Sequence, residues 1–451
     1  MKSFLARRIL PACVISAAGI AALVAPGAAS ASLGEQCSGS NTKGAGSSLQ
    51  EVAEGVWTSK FNSTKDKSKY ACNGKNGSKG TPLVAYESIG SGNGYKKWNE
   101  KHEFGVYGFV GTDNTVNAAE KASVEALGTG GKVMTIPVAQ SALAIVMHLP
   151  TGCTSATSTV APGRLALNDI TLEAIYRGVI TKWSQLEGAE NGGNALTCAE
   201  ESDKEAAIIP VARLDKSGTT HIFKKFLGEV YVGKFEDEAG ESKTWYEVSE
   251  GGTINLQWPK AAKVVKAKTE TNLGMLKEVE ETPGSIGYPN LADARNNASF
   301  VPPAGGANKA MFWAELESSQ KTSKGKVTRT FKDPSSNGDT AAKASSNCKS
   351  TEYSNGTAVF PPPKLTDPWN EVTAKLASKT YALCGLTYNL ALTNYETYPG
   401  GTNEEATTTA NFLNYVLDAK GGQSDIKNND YLGLPTSLLT EAKEGPAAIE
   451  G

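Results

Sequence analysis

The chain has 451 residues, with 45 basic and 47 acidic side chains, three histidines and 47 glycines. That length holds roughly two or three compact units. Balanced charge and an ordinary share of apolar residues exclude a nucleic-acid footprint and a wholly disordered chain.

The first residues read as a targeting segment. Lys2, Arg7 and Arg8 precede the apolar run Ile9 to Val24, and Ala29-Ser30-Ala31 is a small-residue cleavage site. An uncleaved anchor is the alternative. Cys13 in Leu10-Pro11-Ala12-Cys13 superficially matches a lipid acceptor, but the apolar run continues past it. Loss of residues 1–31 removes three basic side chains and leaves 42 against 47 acidic, a formal charge of −5. An anion would then have to be held by local geometry against the overall field. Cys37, Cys72, Cys153, Cys198, Cys348 and Cys384 remain, an even number in an exported chain, which favours disulfides over metal. Pairing of sequence neighbours (37–72, 153–198, 348–384) is the expectation. No close Cys-x-x-Cys spacing supports a zinc site.

Gly44-Ala45-Gly46-Ser47-Ser48-Leu49 leads into a helix with Leu49, Val52, Ala53, Val56 and Trp57 on one face. Leu83 to Tyr86 reads as a strand running into Ser88-Ile89-Gly90-Ser91-Gly92-Asn93-Gly94 and a short helix, Tyr95 to Lys101. Its glycine spacing is wrong for a dinucleotide fingerprint. Tyr107 to Val110 is a strand ending in Gly111-Thr112-Asp113-Asn114. Val133 to Pro137 and Ala142 to His148 are strand candidates, and a helix starts at Thr171. Ser285 to Tyr288 is a buried strand, Tyr381 to Thr393 another, and Glu404 to Ala419 a helix. Residues 302–365 are poor in apolar periodicity and read as surface excursions. Strands alternating with helices argue an α/β fold.

Ile208 to Leu227 is the most informative stretch. A short apolar strand runs into Arg213, Asp215, Ser217, Gly218, Thr219 and Thr220, then a helix with Ile222, Phe223, Phe226 and Leu227 on one face. Free N–H groups and the dipole at a helix start hold oxyanions, and arginine adds a fixed, always-charged fork. An ordinary Ser/Thr cap explains the same residues.

The turns at 44–49, 88–94, 111–114 and 213–220 share one design: strand, small polar loop, helix start. In open α/β sheets ligands lie at the carboxyl ends of strands. Four such turns would surround a small anion with hydroxyls, amides and one arginine. The carboxylate of Asp113 fits only a guest that carries a proton, such as hydrogen phosphate. A fully ionised sulfate would face it acceptor to acceptor, and rejection of that kind reaches roughly 10⁴-fold.

The segments GAGSSL, IGSGNG, FVGTDN, ITLEAIYRGVITKWSQL, RLDKSGTTHIF, GSIGYPNLADA and YLGLPTSLL, in this order, resemble the phosphate-binding protein of the bacterial phosphate ABC transporter. The resemblance covers most of 43–291 and resumes near 381–439. It implies a two-lobed, type II periplasmic-binding-protein-like fold, with two mixed sheets flanked by helices and two crossover strands at the hinge. Lobe 1 would be 32–137 with 381–451, and lobe 2 would be 138–380 with a polar excursion at 302–380. It implies phosphate contacts from Ser48, Leu49, Ser91 and Asp113 on one lobe and Arg213, Ser217, Gly218 and Thr219 on the other. Asp215 would hold Arg213 in register. It further implies a secreted, periplasmic or cell-surface monomer that needs no cofactor, binds inorganic phosphate, and serves a membrane permease. Lys216 departs from the family, which usually has glycine there, and Ser48-Leu49 stands where the family commonly has Thr-Phe.

Other readings are the same fold tuned to sulfate or molybdate, a structural surface protein, and a secreted phosphatase. The last would use Asp215 in Asp-Lys-Ser-Gly-Thr as a nucleophile.

Overall fold

Two mixed sheets carry the chain, and both begin in apolar runs that alternate with helices. We describe them from a computed structural model covering residues 39–63, 70, 82–155, 163–188, 191–249, 256–302, 309–336, 345–348, 353–354, 364–367, 373–374 and 380–450. The targeting segment, Cys13, Cys37 and Cys72 lie outside the described residues.

The first sheet contains β1 (Thr42–Gly46), β2 (Val84–Ser88), β3 (Tyr107–Thr112), β4 (Val133–Ala142), β12 (Cys384–Leu392) and β13 (Tyr431–Leu432). Their order is β2-β1-β3-β12-β4-β13. β1 runs parallel to β2 and β3, whereas β12 is antiparallel to both β3 and β4. The second sheet contains β5 (Val146–His148), β6 (Ile209–Ala212), β7 (Val265–Lys266), β8 (Ser285–Gly287) and β9 (Met311–Trp313), in the order β7-β6-β8-β5-β9. The chain thus leaves one sheet at Ala142 and enters the other at Val146. β4 pairs within the first sheet past residue 137, where the lobe division was expected. β12 brings the chain back beside it. Nine consecutive buried residues in β12 and ten in β4 form a double-strand crossover with no solvent face.

Helices flank both sheets. α1 (Glu51–Phe61) buries Ala53 and Trp57 of the face read from the sequence, leaves Val52 and Val56 half-buried, and buries Phe61 beyond it. α2 (Ser91–Asn99) starts earlier than the expected Tyr95. Gly94 is required because it fits against other backbone: a Cβ there would lie 2.4 Å from Gly46 Cα. α3 spans Ala118–Glu125 and α4 Asp169–Arg177. α5 (Gly218–Val230) is buried on nearly every side. Its Phe223 stacks on Tyr288 with ring centroids 4.1 Å apart, and Tyr176 and Trp258 complete that aromatic cluster.

The 302–380 segment departs from its expected surface character. β9 pairs with β5 and buries Phe312 and Trp313 completely. β10 (Glu315–Ser323) and β11 (Lys326–Lys332) form a hairpin. Arg164 ties that hairpin's base down through Glu315 and Asp333. An apolar triplet at an open sheet edge suffices for this, although the surrounding composition is polar. Two disulfides are present among the described residues, Cys153–Cys198 and Cys348–Cys384, both pairs of sequence neighbours.

Candidate anion-binding site

All four turns end at the carboxyl ends of strands, and they meet. Gly46 closes β1 with φ 141°, and a Cβ there would strike Gly111 O at 2.0 Å, so only glycine lets β1 and β3 end side by side. Ser47 N–H donates to Gly111 O at 2.8 Å. Ser47 Oγ then accepts from Leu49 N at 3.0 Å and donates to Asp113 Oδ1 at 2.5 Å. Asp113 N–H donates to Ser91 Oγ at 3.3 Å, at the first residue of α2. From the facing side, a Cβ on Gly218 would lie 2.6 Å from Ser91 Oγ and 2.8 Å from Asp113 Oδ2. The start of α5 therefore presses directly on the two first-sheet turns.

Every predicted residue is buried: Ser48, Leu49, Ser91, Asp113, Arg213, Asp215, Ser217, Gly218 and Thr219. Ser91, Asp113 and Gly218 are in contact, and Arg213 and Thr219 are close enough to influence the Asp113 carboxyl. The Leu49 N–H is already held by Ser47 Oγ, so its donor is spent within its own turn. Ser217 is the N-cap of α5, its Oγ accepting from Thr220 N at 3.2 Å.

Arg213 is 1% exposed and completely oriented. Its Nε donates to Asp215 Oδ1 at 2.8 Å, Nη2 to Asp215 Oδ2 at 2.5 Å, and Nη1 to Asn272 Oδ1 at 2.8 Å. Of five guanidinium N–H groups these leave two. Asn272 is fixed in turn by donating to Asp293 Oδ2 at 3.0 Å. Thr271 N–H donates to Asp215 Oδ1 at 3.2 Å, from a β-branched residue at φ 73°. That strained backbone is held where it steadies the arginine's partner. Tyr288 OH, from the aromatic cluster, pairs with Thr220 Oγ1 at 2.9 Å and lies 3.4 Å from Arg213 N.

Asp113 is held differently. Ser47 and Thr387 both donate to Oδ1, at 2.5 and 2.7 Å. Oδ2 is buried with no hydrogen-bond partner among the described residues, as are Ser48 Oγ and Thr219 Oγ1. Burial pushes the Asp113 carboxyl up to about 6, while the Ser47 and Thr387 hydrogen bonds, the Arg213 charge and the nearby Thr219 hydroxyl pull it back. A buried acceptor left unpaired costs about 1–3 kcal/mol. All three atoms belong to residues expected to contact an anion.

Sequence reasoning missed Ser47, Thr387, Asn272 and Tyr288. Ser47 sits beside the predicted Ser48, and nothing in Ser-Ser says which hydroxyl turns toward Asp113. Thr387 and Asn272 come from remote strand and helix positions with no local signature.

Residues 31–420 match the PBP superfamily domain. The chain belongs to the PBP superfamily. No curated protein sequence matches it. Among solved structures this PBP superfamily chain resembles a phosphate binding protein from Stenotrophomonas maltophilia, at 16% identity and TM-score 0.57, over 90% of this chain and 93% of that one. A human phosphate binding apolipoprotein matches at 16% identity and TM-score 0.55, over 90% and 94%. A high affinity periplasmic phosphate-binding protein (PfluDING), bound with phosphate, matches at 16% identity and TM-score 0.53, over 90% and 93%. At that identity the likeness is one of fold, a two-lobed architecture of mixed sheets. Among the described residues no helix is long and apolar enough to cross a membrane.

Proposed function

We propose that the chain is an extracytoplasmic binding protein that captures inorganic phosphate and delivers it to the membrane permease of an ABC transporter. One observation carries this reading. Asp113 Oδ2, Ser48 Oγ and Thr219 Oγ1 are buried without hydrogen-bond partners among the described residues, in a site that also holds an oriented arginine. Hydrogen phosphate satisfies all of them at once: its oxygens accept from the hydroxyls and the guanidinium, and its proton goes to Oδ2. The names of the structural relatives support the same ligand.

In this reading Ser48, Ser91 and Asp113 contact phosphate from lobe 1 and Arg213, Ser217, Gly218 and Thr219 from lobe 2. Lobe 1 is 32–137 with 381–451, lobe 2 is 138–380, and β4 and β12 are the hinge strands. The chain is exported by residues 1–31 and acts as a monomer. Sulfate or molybdate is disfavoured by Asp113, which would face a second acceptor. Asp215 is a poor nucleophile because both its oxygens accept hydrogen bonds from Arg213, which disfavours the phosphatase reading.

Calorimetric titration of phosphate-stripped protein tests this. Saturable phosphate binding with no sulfate binding at the same concentrations is expected. Sulfate binding of similar strength would overturn it.

A further inference from the structure

Lys216 lies between Asp215 and Ser217, yet takes no part in the ligand set. It is half-buried and makes no ion pair among the described residues. What it touches is the opposite side of the cleft. Its carbonyl accepts the Gly92 N–H at 3.1 Å. A Cβ on Gly92 would lie 2.6 Å from Lys216 Cβ and 3.4 Å from its Cδ, so the lysine stem lies flat on α2. Next to it, a Cβ on Gly90 would meet Asp215 Oδ2 at 2.2 Å. The side chain of Lys216 then runs along a cavity of about 120 Å³ that Ser91, Tyr95, Asn114 and Glu120 also line. Its charge favours the ionised form of Glu120, on α3.

A guest held by Ser91, Asp113, Gly218 and Thr219 cannot leave until the start of α5 parts from α2. That movement breaks the Gly92–Lys216 hydrogen bond and peels the stem off Gly92. We propose that Lys216 is a latch across the cleft: stem and backbone together hold the shut form, so that this residue sets how fast the bound anion escapes. The proposal rests on the phosphate reading given above. It explains Lys216 as a positioning residue acting on closure, not on the ligand.

The test is the release of radiolabelled phosphate from loaded protein chased with unlabelled phosphate, for wild type, Lys216→Gly and Lys216→Met. Because related complexes differ mainly in dissociation rate, Lys216→Gly is expected to speed release about tenfold while association stays within about twofold. Lys216→Met keeps the stem and should stay within about threefold of wild type. Unchanged release from Lys216→Gly overturns the latch. A wild-type chain that binds no phosphate counts against the phosphate reading instead. The latch is then decided without ligand, by the distance between spin labels at Lys101→Cys and Lys277→Cys. Lys216→Gly should lengthen it, and an unchanged distance overturns the proposal.

Discussion

Asp113 and Arg213 are both buried, and the guanidinium charge reaches the carboxyl, but their surroundings differ in kind. Arg213 is oriented within the protein: Asp215 takes two of its nitrogens, Asn272 the third, Asp293 steadies Asn272, and two N–H groups remain to donate. Asp113 accepts on one oxygen from two neutral hydroxyls, and its other oxygen has no hydrogen-bond partner among the described residues. The cationic side is rigid and compensated, so it supplies attraction to any oxyanion at little reorganisation cost. The acidic side is left incomplete, so it supplies discrimination. Affinity and selectivity are therefore expected to come apart on mutation.

The largest break is Arg213→Ala. It strips the cation and strands the buried Asp215, and phosphate binding should weaken by roughly 3–5 kcal/mol, read by calorimetry. Asp113→Asn should cost less phosphate affinity, about 1–3 kcal/mol, while admitting sulfate, because an amide can donate where the carboxylate cannot. Unaltered sulfate rejection in that variant would remove the proton-acceptor role. Asn272→Ala touches no ligand atom and should cost roughly 1–2 kcal/mol by loosening the guanidinium, with phosphate-over-sulfate preference intact.

The smallest effect is a pH dependence. The folded-state Asp113 carboxyl is raised to about 6 by burial. The folded protein therefore keeps a proton that the unfolded chain has released between the ordinary carboxyl range and about 6. The penalty for burying the charge is fully present above that window and fades as pH falls through it. Phosphate-free wild type should thus gain about 1–2 kcal/mol over Asp113→Asn between pH 7.5 and 5, seen as a relative rise in melting temperature.

Much of this arrangement was legible beforehand. The family resemblance implied that Asp215 holds Arg213 in register, and the two are joined by two hydrogen bonds. The rest was hidden by distance or dilution. Thr387 reaches Asp113 from a hinge strand far along the chain, and Asn272 reaches Arg213 from another helix. Ser47 could not be told from Ser48, since one backbone rotation decides which hydroxyl faces inward. β9 was lost in the polar composition of 302–380 because three apolar residues at a sheet edge leave no periodic trace.

The Cys348–Cys384 bridge fastens the interior of that polar segment to the first residue of β12, itself paired with Ala142 at the crossover. A protease that cuts anywhere between the two cysteines would open the chain without releasing either piece. Such a nicked protein would run as one band until reduced, and its hinge strand would remain anchored through the cut.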